Sequence, residues 1–251
     1  MKLSLLILLL SALILEGCTQ FSSKPAEQET EKKSFRINEN GDTVVVNYRE
    51  NGTKISEITI KNGTNHGLCI NYYENGKIKN EISYVNGFKN GRVTWNYESG
   101  RLYRESEYVN DELEGIQKKY YEDGKLMAEI PYLRGEVQPG TKEYTSDGTL
   151  KKIVPEIIIE PIDKMAFENK YLLRISLSKK QKDTKFTRIV EIEGTHHKVG
   201  LSVNEGMAEI PWYVAKGTYV MEKVKIEAEY VTHLGNPVKL VKTYNLAIEN
   251  R

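Results

Sequence analysis

The residues best suited to acid–base chemistry are three glutamates that recur every 24 residues: Glu81, Glu105 and Glu129. A pair of carboxylates could act as acid and base in a glycan hydrolase. If each interval holds two strands, equivalent glutamates lie roughly 9–10 Å apart, at ~4.8 Å per strand. A column of equivalent glutamates repeated along the surface of a sheet is more typical of a structural role than of catalysis. We therefore predict no catalytic residues and no enzyme activity, with a glycan-active enzyme as the weakest alternative.

The cysteine and histidine residues do not suggest a second site. Cys69 stands alone in a repeat, and we expect a packed small hydrophobic residue rather than a nucleophile. His196 and His197 are adjacent, so on a strand they point to opposite faces and cannot share a metal. The sequence has no phosphate-binding glycine loop, metalloprotease motif or Cys-x-x-Cys pair. We therefore predict no metal and no cofactor.

Composition excludes further classes of protein. Hydrophobic residues make up 39% and charged residues 28% of the 251 residues, which excludes a polytopic membrane protein and a highly charged disordered chain. The net charge of +1 removes the electrostatic argument for nucleic acid as a partner.

The N-terminus has the features of a secretion signal. Lys2 precedes an apolar run, Leu3–Leu15, which is shorter than the about 20 residues of a transmembrane helix. Leu15-Glu16-Gly17-Cys18 resembles the lipobox of bacterial lipoproteins, although Glu16 replaces the usual small residue. The resemblance implies that Cys18 is acylated, as with palmitate, and becomes the mature N-terminus. Since one acyl chain anchors only marginally, several are needed.

The lipobox also bears on location. Thr19 follows the cysteine, and by analogy with enterobacterial sorting the absence of aspartate there favours the outer membrane. We therefore expect a protein of the cell envelope that is attached to the membrane by its N-terminal lipid.

Composition and repeats divide the chain into four regions. Residues 1–17 are the predicted signal peptide. Residues 18–41 contain too few apolar side chains to offset the entropy of ordering and are predicted to be a flexible tether. Residues 42–153 carry internal repeats, and residues 154–251 form a second β domain.

Two interleaved series of turn dipeptides define a 24-residue repeat. They are Asn51-Gly52, Asn75-Gly76, Ser99-Gly100, Asp123-Gly124 and Asp147-Gly148, and then Asn62-Gly63, Asn86-Gly87, Asn110-Asp111 and Arg134-Gly135. Asn-Gly and Asp-Gly accept the positive φ that a two-residue type I′ hairpin needs. Two turns per repeat leave two strands of roughly seven residues, so the region is predicted to be an antiparallel meander of hairpins.

The turns also predict a register. A two-residue turn pairs Tyr73 with Ile78, Tyr97 with Leu102 and Tyr121 with Leu126. The opposite face carries the glutamates, which are predicted to pair as Glu81 with Ile70, Glu105 with Thr94 and Glu129 with Lys118. Because tyrosines occur on both faces, we expect an extended ribbon stabilised by neighbouring repeats.

The repeats resemble the MORN-repeat variant. The strings that carry the resemblance are YYENGKIKNEISYVNGFKNG (72–91), NYESGRLYRESEYVNDELEG (96–115) and YYEDGKLMAEIPYLRGEVQPG (120–140). They share tyrosines, a turn followed by a basic residue, an aliphatic residue, a glutamate, an aromatic residue and a closing glycine. The resemblance implies stacked hairpins over residues 43–153. Some bacterial members are labelled antitoxin or immunity proteins, and others are uncharacterised lipoproteins.

The C-terminal region differs from the repeats. Six or seven strand-like segments in residues 154–251 suggest an immunoglobulin-like β-sandwich, with Trp212 and Tyr244 in its core. The segment SKKQKDTK (178–185) is predicted to be a solvated basic hairpin tip, with contact to an anionic surface as the alternative. The predicted fold class is therefore all-β, a meander of about 24-residue MORN-like hairpins followed by a sandwich.

Exposed aromatic residues suggest the function. Tyr73, Trp95, Tyr97 and Tyr121 are the candidate partner-binding residues, because aromatic patches are typical of interfaces. We predict a lipid-anchored, non-catalytic interaction module for a protein or an envelope polymer. An immunity protein that neutralises a toxin is the alternative, and it rests on the family resemblance alone.

Overall fold

The computed structural model describes residues 32–152 and 155–251. Within these ranges the fold is β throughout, apart from one four-residue helix, α1 (Met165–Glu168). The predicted all-β class is therefore confirmed. The predicted signal peptide (residues 1–17), Cys18 and residues 19–31 of the predicted tether lie outside the described residues.

The repeats form one antiparallel sheet of eleven strands. The strands are β1 (Lys32–Ile37), β2 (Thr43–Tyr48), β3 (Lys54–Lys61), β4 (Thr64–Tyr72), β5 (Ile78–Val85), β6 (Phe88–Asn96), β7 (Leu102–Val109), β8 (Glu112–Tyr120), β9 (Leu126–Leu133), β10 (Glu136–Val137) and β11 (Lys142–Glu143). Strands β1 to β10 follow one another in chain order, and β11 also pairs with β9. This is the predicted meander.

One turn series forms the expected two-residue hairpins. Asn86 and Gly87 both have positive φ, at 51° and 89°, and Val85 pairs directly with Phe88. Positive φ at both central positions is the type I′ geometry, whose twist matches that of the flanking strands. Turns at residues 62–63, 110–111 and 134–135 have the same signs of φ.

The other turn series differs from the prediction. Gly76 alone has positive φ in its turn, its N–H donates to the carbonyl of Tyr73, and the N–H of Tyr73 donates to the carbonyl of Lys77. This is a three-residue loop with a glycine bulge. Tyr72, not Tyr73, therefore pairs with Ile78. The predicted pairs Tyr97–Leu102 and Tyr121–Leu126 are wrong for the same reason, and the observed pairs are Asn96–Leu102 and Tyr120–Leu126.

The register on the glutamate side is as predicted. Glu81 pairs with Ile70, Glu105 with Thr94 and Glu129 with Lys118. We call this side, which also carries Glu57, the glutamate face. The other side, the tryptophan face, carries Trp95 and the buried side chains of Val93 and Ile130.

The sheet begins within the range predicted to be a tether. Strand β1 pairs with β2 from Lys32–Tyr48 to Ile37–Thr43. All six of its residues are exposed. Val44 and Val46 of β2 are buried and fix this strand in the sheet. Strand β1, which has little apolar content, is added to the edge of β2 by the hydrogen bonds of the antiparallel ladder.

The C-terminal strands form two four-stranded antiparallel sheets. The strands are β12 (Ile157–Lys164), β13 (Lys170–Leu177), β14 (Lys185–Ile192), β15 (Thr195–Gly200), β16 (Val203–Asn204), β17 (Met207–Tyr213), β18 (Thr218–Val231) and β19 (Pro237–Asn250). The sheet orders are β12-β13-β17-β16 and β15-β14-β18-β19.

One apolar core joins these two sheets. Leu173 and Ile175 of the first sheet and Val224 and Ile226 of the second are fully buried, and all four belong to one cluster. Burial of each such side chain is worth about 1.5–3 kcal/mol. Trp212 and Tyr244 are partly buried against this core.

A buried polar network connects the repeat sheet to the sandwich. Nζ of Lys119 donates to Oδ1 of Asn236 at 2.7 Å, and Nδ2 of Asn236 donates to Oε1 of Glu143 at 2.6 Å. The hydroxyl of Thr232 donates to the same oxygen at 2.6 Å. Asn236 is 0% exposed, Glu143 5% and Lys119 7%. The loop between β18 and β19 is therefore joined to the last full repeat by interactions of buried charges.

Candidate functional site

Tyrosine hydroxyl groups donate hydrogen bonds to the column of glutamates. The hydroxyl of Tyr72 donates to Glu57 at 2.7 Å, that of Tyr120 to Glu105 at 2.5 Å and that of Tyr144 to Glu129 at 2.9 Å. Each of these glutamates also forms an ion pair, with Arg36 at 2.7 Å, Arg92 at 2.8 Å and Lys142 at 3.5 Å respectively. The column is thus a set of charge-paired hydrogen bonds that links one strand to the next.

The pKa values indicate fixed protonation states in this column. Burial acts to raise the pKa of Glu57, but hydrogen bonds from Lys54, Tyr72 and Arg36 outweigh it and lower the pKa to about 2. The hydrogen bond from Tyr120 is the largest cause of the lowered pKa of Glu105. Burial and the bond to Glu105 together raise the pKa of Tyr120 to about 12. At neutral pH these carboxylates are ionised and accept hydrogen bonds from the protonated tyrosine hydroxyls. Such fixed protonation states are typical of a structural role.

One repeat departs from this pattern. Asn96 stands where the other repeats have the tyrosine, and its Nδ2 donates to the carbonyl of Ile78 at 3.1 Å. Glu81 accepts instead from the hydroxyl of Thr94 at 3.3 Å. The hydrogen bond to Glu81 is therefore longer than those that the tyrosines make in the column.

Three of the four predicted partner-binding residues link neighbouring repeats. The hydroxyl of Tyr73 donates to the carbonyl of Asn96 at 2.6 Å, that of Tyr97 to Tyr120 at 2.7 Å and that of Tyr121 to Tyr144 at 2.8 Å. All three side chains are half-buried beside the three-residue loops. Their hydroxyl groups are thus used in stacking one hairpin on the next.

The fourth predicted residue, Trp95, lies within a strand. It pairs with Asn80 and Arg104 on the tryptophan face and is half-buried. The Arg104 guanidinium lies 5.3 Å from the centre of a Trp95 ring. Trp95 therefore takes part in a cation–π contact within the sheet.

An exposed apolar row lies elsewhere on the sheet. We call it the apolar stripe, and it consists of Leu68, Val85, Phe88, Val109, Ile116 and Leu133. These side chains are between 43% and 54% exposed, with one from each strand from β4 to β9. Strand alternation puts them on the glutamate face, near the two-residue turns. At ~4.8 Å per strand the row is roughly 24 Å long.

The sequence contains a signal for part of the apolar stripe. Val85, Val109 and Leu133 recur at 24 residues, each immediately before a two-residue turn. Apolar residues at the ends of strands are ordinary in a hairpin, so their exposure follows only from the structure.

The other candidate residues are placed as follows. Cys69 is buried in β4, and burial raises the pKa of its thiol. His196 and His197 are exposed on β15. In residues 32–152 and 155–251, no cluster of three or more histidine, cysteine or acidic side chains is arranged to bind a metal. The same residues include no helix with the length and hydropathy of a membrane span.

Comparison with protein families supports the interpretation of the repeats. Three segments, residues 65–86, 89–110 and 113–133, match the family model described as MORN repeat variant. The hairpins from β4 to β9 are therefore MORN-variant repeats, and the two C-terminal sheets lie outside the match. Comparison with curated proteins gave no match, and comparison with solved structures gave none either.

Proposed function

We propose that this protein is a lipid-anchored, non-catalytic binding module of the cell envelope, and that its repeat sheet binds a protein partner through the apolar stripe. The observation that carries the proposal is six half-exposed apolar side chains aligned on six consecutive strands. Contiguous exposed apolar surface is typical of protein–protein interfaces. Five of the six side chains are aliphatic, which favours a protein over a polysaccharide, since polysaccharides are usually bound by polar groups and aromatic platforms.

The arrangement of the polar groups is consistent with a binding role. The tyrosine and glutamate side chains of the same face are already hydrogen-bonded to each other or to the next repeat. They stiffen the sheet, and a stiff surface loses less conformational entropy when a partner binds.

The stripe is tested by replacing Phe88 and Ile116 together with threonine, which retains β propensity while removing apolar surface. Val199 and Val231 provide the matched control, because they are exposed valines of the sandwich, 47% and 60% accessible. Partners are recovered by in-cell cross-linking and compared among wild type, F88T/I116T and V199T/V231T. We expect a partner that is lost only with F88T/I116T. Recovery of the same set from all three proteins would contradict the proposed surface.

The anchor is tested separately. The proposal requires acylation of Cys18, so Cys18→Ser should move the protein from the membrane to the soluble fraction and abolish incorporation of labelled palmitate. Unchanged fractionation of Cys18→Ser would exclude this mode of attachment and leave the test of the stripe intact.

A further inference from the structure

Two basic segments that are distant in sequence meet in a cleft at the junction of the repeat sheet and the sandwich. Lys151 and Lys152 come from the end of the repeat region, and Lys179 and Lys180 come from the loop between β13 and β14. His233, from the loop between β18 and β19, completes the wall. The cleft has a volume of about 360 Å³, within the range of small-molecule sites.

The four lysines are available to a ligand. Within residues 32–152 and 155–251, none of them forms an ion pair with a carboxylate, although seventeen ion pairs occur there. The one acidic residue that lines the cleft, Glu143, already accepts hydrogen bonds from Thr232 and Asn236 through one oxygen. The cleft therefore carries an excess of positive charge, with four lysines against one carboxylate.

One lysine of the cleft runs alongside a neighbouring turn. A Cβ atom on Gly206 would lie 3.1 Å from Cε of Lys180, so the lysine side chain passes directly over the turn between β16 and β17. Gly206 has φ of +87° and leaves room for this contact.

The type of side chain indicates the chemistry of the ligand. Lysine acts as a point charge and is a common phosphate ligand, and four lysines in one cleft favour an anion that carries more than one negative charge. Gln181 and His233 add further polar groups to the lining. We propose that this cleft binds a ligand with neighbouring phosphate groups, either free in solution or carried by a lipid headgroup. The site is independent of the apolar stripe, and its walls come from both parts of the chain.

Inorganic pyrophosphate is the probe for a free ligand. Isothermal titration with the full-length protein in detergent should give one site, with an affinity that falls as salt is added because exposed charges are screened. Lys151→Gln/Lys180→Gln should weaken binding by about tenfold or more, since two charge-assisted contacts are lost. The control Lys33→Gln/Lys223→Gln removes two exposed lysines elsewhere and should stay within about twofold of wild type.

Vesicles distinguish the two sources of phosphate. The full-length protein with Cys18→Ser is mixed with phosphatidylcholine vesicles, with or without cardiolipin, and sedimented. If the protein sediments only with cardiolipin vesicles and Lys151→Gln/Lys180→Gln abolishes this, the ligand is a lipid headgroup. If the protein binds pyrophosphate but does not sediment with cardiolipin vesicles, the ligand is soluble. Wild-type protein that binds neither probe, or a site variant that binds as tightly as the control, would overturn the proposal. Circular dichroism of each variant verifies that the fold is retained.

Discussion

Replacing Asn236 with alanine should uncouple the repeat sheet from the sandwich. The Asn236 side chain is fully buried and bridges two charged groups, Lys119 at 2.7 Å and Glu143 at 2.6 Å. Burial is the main cause of the lowered pKa of Lys119, which reflects the cost of holding this ammonium group away from water. Alanine would leave both groups buried without the amide that joins them.

The expected loss follows from the two contacts. A hydrogen bond to a charged group contributes about 1.5–3 kcal/mol, and Asn236 makes two of them, one with Lys119 and one with Glu143. We therefore expect Asn236→Ala to lower the free energy of unfolding by about 3–5 kcal/mol. Asn245→Ala is the matched control, because Asn245 is exposed on β19, the strand that begins directly after Asn236. It should change stability by less than about 0.5 kcal/mol.

The two tryptophans of the chain allow each part to be followed separately. Trp95 lies in the repeat sheet and Trp212 in the sandwich, so Trp212→Phe and Trp95→Phe backgrounds report on one part each. With Asn236 present, the urea unfolding transitions reported by Trp95 and by Trp212 should have the same midpoint. In Asn236→Ala the two midpoints should differ. Coincident transitions with a loss no larger than that of Asn245→Ala would refute the coupling through Asn236.

Three further variants test the repeat sheet. The pKa of Glu57 is lowered from 4.5 to about 2, so its stabilisation is complete above about pH 4.5 and is lost as the pH falls towards 2; Glu57→Gln should flatten this part of the urea stability curve. Tyr97→Phe removes the hydroxyl that donates to the carbonyl of Tyr120 and should cost about 1 kcal/mol in urea unfolding, whereas the control Tyr103→Phe should cost nearly nothing. Asn96→Tyr restores the hydroxyl donor opposite Glu81 and should raise stability by about 0.5–1.5 kcal/mol in thermal denaturation. A gain that persists in Asn96→Tyr/Glu81→Gln would show that the hydroxyl is not its source.

Parts of the fold were predictable because they depend on local chemistry. The dipeptide Asn86-Gly87 accepts positive φ at both positions, which determines a two-residue hairpin. The pairing of Glu81 with Ile70 belongs to the other hairpin, between β4 and β5. A β-bulge between Asn71 and Tyr72 offsets the one-residue shift of the three-residue loop, so the predicted pairing is correct there.

The register errors arose because similar dipeptides form different turns. Asn75-Gly76 has the same letters as Asn86-Gly87 but belongs to a three-residue loop. Its side chains bond to the next repeat, with Nδ2 of Asn75 donating to the carbonyl of Glu98 at 2.9 Å and Nζ of Lys77 to that of Ser99 at 2.8 Å. The shift of one residue moves Tyr73 out of the strand pair and into the contact between repeats.

The sequence by itself determined the repeat period, the all-β class and the face that carries the glutamates, since these follow from turn chemistry and from the two-residue alternation of a strand. Only the tertiary structure decided which aromatic residues are occupied in stacking, which apolar side chains remain exposed, and where the lysines meet. Those features depend on contacts between residues more than twenty positions apart, such as Tyr97 with Tyr120 and Lys119 with Asn236. A local pattern cannot specify such contacts, because they form only when separate hairpins and the sandwich pack together.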